Sequence, residues 1–277
     1  MNHSKISRVV ILCLSVAILF SLPTLEARGQ KRYTVSARAA IFSNSTKVKR
    51  YYGKNVHMRV LPASTTKVMT ALVVLERLPL NHVVTFSKKA SLAQPSKIYG
   101  RPGEKFRVKD LLYALLLRSA NDASIALAEA VSGSEWKFVQ LMNKKAKQLG
   151  ANHTKFANSS GLPSRNTKQY TTAYDMYLIF RAALEHNFFK TVLKHKYRTI
   201  RSLDGRKIKL KSHNKILFFK KWRRKLFGKT GWTRSAKSCF VGYITKGRDI
   251  CIIAVFGCSR RWDDIKYIVS RYGGISL

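Results

Sequence analysis

The chain has 277 residues, enough for one large domain or two small ones, and its 45% hydrophobic content is ample for a core. Fifty-three Lys and Arg stand against 13 Asp and Glu, a formal net charge of +40 that favours anionic partners and says nothing about fold. Four cysteines show neither a C-x-x-C pair nor a metal-ligand spacing with the seven histidines, so no metal or cofactor site is expected.

Residues 1–27 differ from the rest. Lys5 and Arg8 precede an apolar run from Val9 to Leu22, followed by Pro23 and Leu25-Glu26-Ala27. This is the pattern of a secretory signal peptide. The run is short for a membrane span, which needs about 20 apolar residues. Leu25-Glu26-Ala27 is an imperfect cleavage site, so retention as an anchor stays open. Losing residues 1–27 removes only Lys5, Arg8 and Glu26 among the formal charges, and the mature chain stays strongly basic. An exported chain, at the periplasm or the extracytoplasmic wall or membrane surface, meets anionic wall polymers or lipid headgroups; no nucleic acid is expected as partner. Cys13 belongs to the leader, and Cys239, Cys251 and Cys258, in or beside apolar strands, read as buried structural thiols.

Residues 28–35 are a basic linker. Ala37–Phe42 is predicted as the first strand, with a turn at Asn44-Ser45. Pro62-Ala63-Ser64-Thr65-Thr66-Lys67 then opens a helix in which Val68, Leu72 and Leu75 recur at helical spacing. That helix ends near Leu78-Pro79. Residues three apart on a helix are neighbours, so the Ser64 hydroxyl and the Lys67 amine meet at its start. Burial beside the positive end of the helix disfavours protonated Lys67 and makes it a base. A serine needs such a base to become a nucleophile. A serine N-cap followed by an ordinary lysine gives the same four letters.

Val83–Phe86 is strand-like and 91–103 loop-like. Val108–Leu117 is an apolar helix expected deep in the core, because leucines nearly encircle it. Ser119-Ala120-Asn121-Asp122 separates it from a helix at Ala123–Val131. Ser119 and Asp122 have capping-box spacing; alternatively, Ser119 relays protons and Asn121 supplies an amide that both donates and accepts. Ser134 starts a helix carrying Trp136, Val139, Met142 and Leu149, closed by Gly150. Thr172 and Asp175 have the capping-box spacing for a helix to about Leu184.

After Lys196 the pattern turns to strands at Tyr197–Ser202 and Lys207–Lys211, then a hairpin of Cys239–Ile244 and Ile250–Phe256 about a turn at Lys246-Gly247-Arg248. A helix from Asp263 to Tyr272 closes the chain. Gly228-Lys229-Thr230-Gly231 precedes the hairpin. It reads as a surface turn, or as a strand edge where a substrate backbone lies close while Lys229 and Thr230 hold a carboxylate. The spacing of a phosphate loop fails here. This order predicts an α+β fold, an antiparallel sheet flanked by helices plus an all-helical lobe, with residues 36–277 as the catalytic domain.

Ser64-x-x-Lys67, Ser119-x-Asn121 and Lys229-Thr230-Gly231, in that order, match the triplet of penicillin-binding proteins and class A β-lactamases. With Asn158-Ser159-Ser160-Gly161-Leu162-Pro163 and Trp232-Thr233, the chain resembles the serine-type D-Ala-D-Ala carboxypeptidases, the low-molecular-mass penicillin-binding proteins, over about residues 36–277. The resemblance implies a β-lactamase / penicillin-binding transpeptidase-like fold. It also implies that Ser64 attacks the carbonyl before the terminal D-alanine of a peptidoglycan stem peptide, with Lys67 as base. Ser119 would pass a proton to the leaving amine, and Asn121 would hold Lys67 and the substrate amide. Lys229 and Thr230 would bind the terminal carboxylate. Gly231 would let the substrate approach, and the N–H groups of Ser64 and Trp232 would form the oxyanion hole. β-Lactams would acylate Ser64 as mimics of the substrate.

Family members often carry histidine or an aromatic at the place of Trp232, and many add a β-rich domain and an amphipathic tail helix. A D,D-endopeptidase acting on cross-links uses the same site. A class A-like β-lactamase also needs a carboxylate base for fast deacylation, and Met142–Tyr174 contains no Asp or Glu.

Overall fold

Two ten-residue strands, β8 (Lys237–Lys246) and β9 (Asp249–Cys258), carry the C-terminal third of the chain. Successive residues of a strand face opposite sides, yet Cys251–Phe256 are all buried, so both faces of β9 are covered. The strands pair antiparallel, Lys246 opposite Asp249, where the turn was read from the sequence. The computed structural model describes residues 33–164, 167–222 and 224–277; the leader and residues 28–32 of the linker lie outside them.

β1 (Ala39–Asn44), buried along its whole length, pairs with β9 and with β2 (Lys49–Lys54). β7 (Phe227–Thr233) pairs with β8. The five-stranded antiparallel sheet runs β2-β1-β9-β8-β7, so β7 is an edge strand. Two short two-stranded sheets stand apart from it: β3 (Val83–Thr85) with β4 (Lys105–Arg107), and the hairpin of β5 (Tyr197–Arg201) and β6 (Lys207–Lys211).

The helices are α1 (Lys67–Arg77), α2 (Lys88–Ser91), α3 (Val108–Tyr113), α4 (Asn121–Ser132), α5 (Glu135–Gln148), α6 (Ala173–Ala183), α7 (Asn187–Lys194) and α8 (Arg261–Gly273). The α6 and α8 helices pack on the sheet, while α1 is surrounded by α4, α5 and α6. Every residue of α1 from Lys67 to Val74 is buried. One continuous hydrophobic cluster joins β1, β8 and β9 to α1, α3, α4 and α6, so sheet and helical lobe share a core. The architecture is α+β.

The structure departs from the sequence reading at several points and adds exposures that the reading left open. The helix expected over 108–117 is α3 followed by a widened π-helical turn, Ala114–Arg118, although its leucines are buried as expected. The Ser119–Asp122 capping box does not form: Ala120 is the N-cap, and the Asp122 carboxylate accepts from the N–H groups of Ile98, Gly100 and Ala123. On α5, Val139 and Met142 are buried but Trp136 is 70% exposed. The eight-residue α7 was not anticipated. The caps at Ser134 and Thr172 do form, each hydroxyl accepting from an N–H three residues on. Cys239, Cys251 and Cys258 are free and buried.

Candidate active site

Ala63–Thr66 form a 3-10 turn that runs directly into α1. The turn leaves Ser64 partly exposed and sends Lys67 inward, fully buried. The Lys67 Nζ lies 2.7 Å from Asn121 Oδ1, 2.6 Å from the Ser160 carbonyl and 3.2 Å from Ser64 Oγ.

These contacts constrain the protons. Asn121 Nδ2 donates to the carbonyls of Gln94 (2.9 Å) and Pro95 (3.1 Å), which only accept, so its Oδ1 faces the lysine. Lys67 must therefore donate to Asn121 Oδ1, and also to the Ser160 carbonyl. A neutral amine uses both its N–H groups there and turns its lone pair to the Ser64 hydroxyl; a protonated one donates its third N–H to Ser64 Oγ. Burial first, and the neighbouring Lys229 second, hold the Lys67 amine well below its usual 10.5. Both causes shift Lys67 toward the neutral form, which this geometry accommodates.

Ser119 follows the π-helical turn with φ of 62°, the left-handed region that costs a non-glycine residue roughly 1–2 kcal/mol. Its hydroxyl accepts from Lys229 Nζ at 2.9 Å. Widened turns often mark functional sites, and here the distortion separates Ser119 from the helix that begins at Asn121. Lys229 is fully buried on β7 and also donates to the Thr230 carbonyl at 2.8 Å. Burial, with Arg261 adding to it, brings its amine down to about 7.

β7 meets the 3-10 turn at Gly231. A Cβ there would come within 3.1 Å of Ser64 N and of Ala63 Cβ, so glycine lets the strand edge lie against the serine's backbone. Thr230 is almost buried, whereas the Trp232 side chain is 66% exposed. The structure therefore gathers Ser64, Lys67, Ser119, Asn121 and Lys229 at one place, with Gly231 beside them. Trp232 is set apart, with its ring turned outward.

Sequence reasoning missed three contributors. Arg261, at the start of α8, donates from Nη1 to the carbonyls of Gly231 (3.2 Å) and Cys239 (2.9 Å), adding a further basic group beside Lys229. No pattern marks it among so many basic residues. His213 donates its backbone N–H to the Leu117 carbonyl, and its imidazole is held below 6.5 by lost hydration first and by Lys229 second. The third is the Ser160 carbonyl, a backbone atom in the quoted Asn158–Pro163 stretch. Glu135 fixes this stretch by accepting from Ser159 N (3.1 Å) and Oγ (2.6 Å), while Thr70 donates to the Ser159 carbonyl. Asp175 holds the preceding turn through His153 N and Thr154 Oγ1. Both carboxylates are engaged in holding the loop.

The family model described as D-alanyl-D-alanine carboxypeptidase matches residues 26–260. The chain is 33% identical over 257 residues to the D-alanyl-D-alanine carboxypeptidase DacF of Bacillus subtilis, covering 90% of this chain and 65% of that relative's length. It is 28% identical over 269 residues to a D-alanyl-D-alanine endopeptidase of Pseudomonas aeruginosa, covering 93% and 84%. Its fold superposes on the Streptomyces K15 DD-transpeptidase with a TM-score of 0.80 at 29% identity, covering 88% of this chain and 99% of the other.

Proposed function

Because this chain belongs to the D-alanyl-D-alanine carboxypeptidase family, we propose that it removes the terminal D-alanine from peptidoglycan stem peptides through an acyl-enzyme on Ser64. The observation that carries this reading is the buried Lys67 amine, held by Asn121 Oδ1 and the Ser160 carbonyl with its nitrogen 3.2 Å from Ser64 Oγ. Lys67 takes the Ser64 proton as Oγ attacks the carbonyl carbon of the penultimate residue. The resulting oxyanion sits between the N–H groups of Ser64 and Trp232; one such donor is worth about 3 kcal/mol. The Ser119 hydroxyl, accepting from Lys229, gives its proton to the leaving D-alanine nitrogen and recovers in its place the proton that Lys67 took from Ser64. The carbon–nitrogen bond breaks, and water then frees the shortened peptide and restores Ser64.

Lys229 and Thr230 hold the substrate's terminal carboxylate, with Arg261 reinforcing the positive field. The Asn121 amide nitrogen, occupied by Gln94 and Pro95, makes Asn121 a positioning residue for Lys67. Penicillins acylate Ser64 and deacylate slowly, because Glu135 and Asp175 are engaged in loop bonds. Residues 36–277 act as the catalytic domain, and residues 1–27 as an export leader. The positive surface retains the enzyme on anionic wall polymers or headgroups. The likeness to a protein named an endopeptidase keeps hydrolysis of peptide cross-links as a second reading.

The test is direct. Wild-type protein incubated with a pentapeptide ending in D-Ala–D-Ala should release D-alanine, and penicillin should leave a long-lived adduct on Ser64. Ser64→Ala should lose both. Release of D-alanine by Ser64→Ala overturns the assignment, and a cross-linked dimer cleaved in preference to the pentapeptide selects the second reading.

A further inference from the structure

A cavity of about 520 Å³ opens beside the 3-10 turn, with Ala63, Gly161, Thr233 and Ser235 among the residues that line it. We propose that it is a subsite for a carboxylate-bearing residue of the stem peptide, upstream of D-Ala–D-Ala. The proposal rests on the reading of the site given above and adds to it the chemistry of the substrate's other end.

Position comes first. Along β7, Lys229 reaches Ser119, Gly231 stands against Ser64 N, and Thr233 lines the cavity. Alternate strand residues lie about 7 Å apart. With the terminal carboxylate at Lys229 and the reacting carbonyl at Ser64, a peptide extended along this edge carries its preceding residues toward Thr233. β7 has no strand on its outer side among the described residues, so such pairing is open to it.

Charge comes second. Arg38, Arg59 and Lys168 line the cavity, and none of its described lining residues is Asp or Glu. Two of the cations are held in place without being neutralised. The Arg59 guanidinium lies 4.5 Å from the centre of the Tyr170 ring. The Arg38 side chain crosses Gly257, where a Cβ would come within 2.9 Å of its Cγ and Cδ; with φ of +67°, that position suits glycine twice over.

The third observation is independent of charge. Gln169, only 6% exposed, also lines the cavity. Its Nε2 donates to the Leu162 carbonyl at 2.5 Å, and its Oε1 is buried without a hydrogen-bond partner. A buried acceptor without a donor is costly. An N–H of an extended ligand would satisfy it. An N–H donor and a carboxylate within one small volume describe an acidic residue in a peptide.

The experiment uses two pairs of blocked peptides ending in D-Ala–D-Ala. Within each pair one side chain is a free carboxylate or its amide, placed at the first or second position before D-Ala–D-Ala. In at least one pair the carboxylate peptide should show kcat/KM on the order of tenfold higher, through KM. In R38Q/R59Q the ratio should fall toward one. In K49Q/R248Q, altered in the turns at the far end of the sheet, it should persist. Penicillin labelling of Ser64 checks that each variant is folded. No preference in wild type, or a ratio unmoved by R38Q/R59Q, or one lost equally in K49Q/R248Q, overturns the subsite. If no peptide loses D-alanine, the hydrolytic reading fails by itself. Calorimetric binding of the same peptides to Ser64→Ala protein, with and without R38Q/R59Q, then still decides the subsite.

Discussion

Lys67 and Lys229 are both buried, both depressed below their usual 10.5, and asked to be in opposite protonation states. A base must be neutral, while a carboxylate holder must be charged. Each helps the other, because a protonated Lys229 lowers the Lys67 amine. The pH dependence follows with a definite sign. As pH rises, Lys67 loses its proton and acylation speeds up. As pH passes about 7, Lys229 in the free enzyme loses its charge and its hold on an incoming carboxylate weakens. The rate constant for penicillin acylation at low concentration reports free-enzyme values. Measured from pH 5 to 10, it should rise and then fall, with the descending limb starting near 7. A rate that climbs without a break to pH 10 would show that Lys229 does not bind the carboxylate as an ammonium.

Between elements, the site depends on how closely the β7 edge approaches the 3-10 turn before α1. Gly231→Val tests that contact. Its side chain would start 3.1 Å from Ser64 N and 3.2 Å from the Pro62 carbonyl, so the strand must move outward. The oxyanion donors then separate, and losing one donor costs about 10²–10³ in rate. Penicillin acylation should fall by that order while the thermal midpoint changes by only a few degrees; acylation within threefold of wild type would show that the edge does not shape the hole. The elements around this contact were largely legible, although Gly228–Gly231 itself read equally as a surface turn. Pro62 and the apolar spacing announced α1, and the runs at Cys239–Ile244 and Ile250–Phe256 announced β8 and β9. What was not legible depended on distant packing. Ser119 and Asp122 have the spacing of a cap, but Ser119 closes a π-helical turn in the left-handed region and Ala120 becomes the N-cap. The Ser160 carbonyl is a backbone atom and has no letter of its own. Arg261 has one, but local spacing cannot single it out from 53 basic residues.

Over the whole molecule, the shortage of acidic groups on the surface is sharper than the count of 13 suggests. Asp122 is fully buried and bonded to backbone, Asp175 holds the 153–154 turn, and Glu135 holds Ser159. Glu104 is nearly buried and engages Arg206 and Arg101 N. Asp264 accepts from Ser36 inside the fold. These five carboxylates stabilise the interior and do little to offset the exterior. Meanwhile β2 and the β5–β6 hairpin present Lys49, Arg50, Arg198, Arg201, Lys207, Lys209 and Lys211 to solvent. Among the described residues no helix is long and apolar enough to cross a membrane. The proposed retention on anionic polymers or headgroups acts through this positive surface, and charge is screened. The screening length shrinks from about 30 Å at 0.01 M salt to about 3 Å at 1 M. Purified protein lacking residues 1–27 should pellet with anionic vesicles or wall fragments at low salt, and should be released as salt approaches 1 M. Ser64→Ala should behave identically, since a serine hydroxyl carries no charge. Protein that stays bound at 1 M salt, or that pellets equally with neutral vesicles, would require an apolar or shape-specific contact instead.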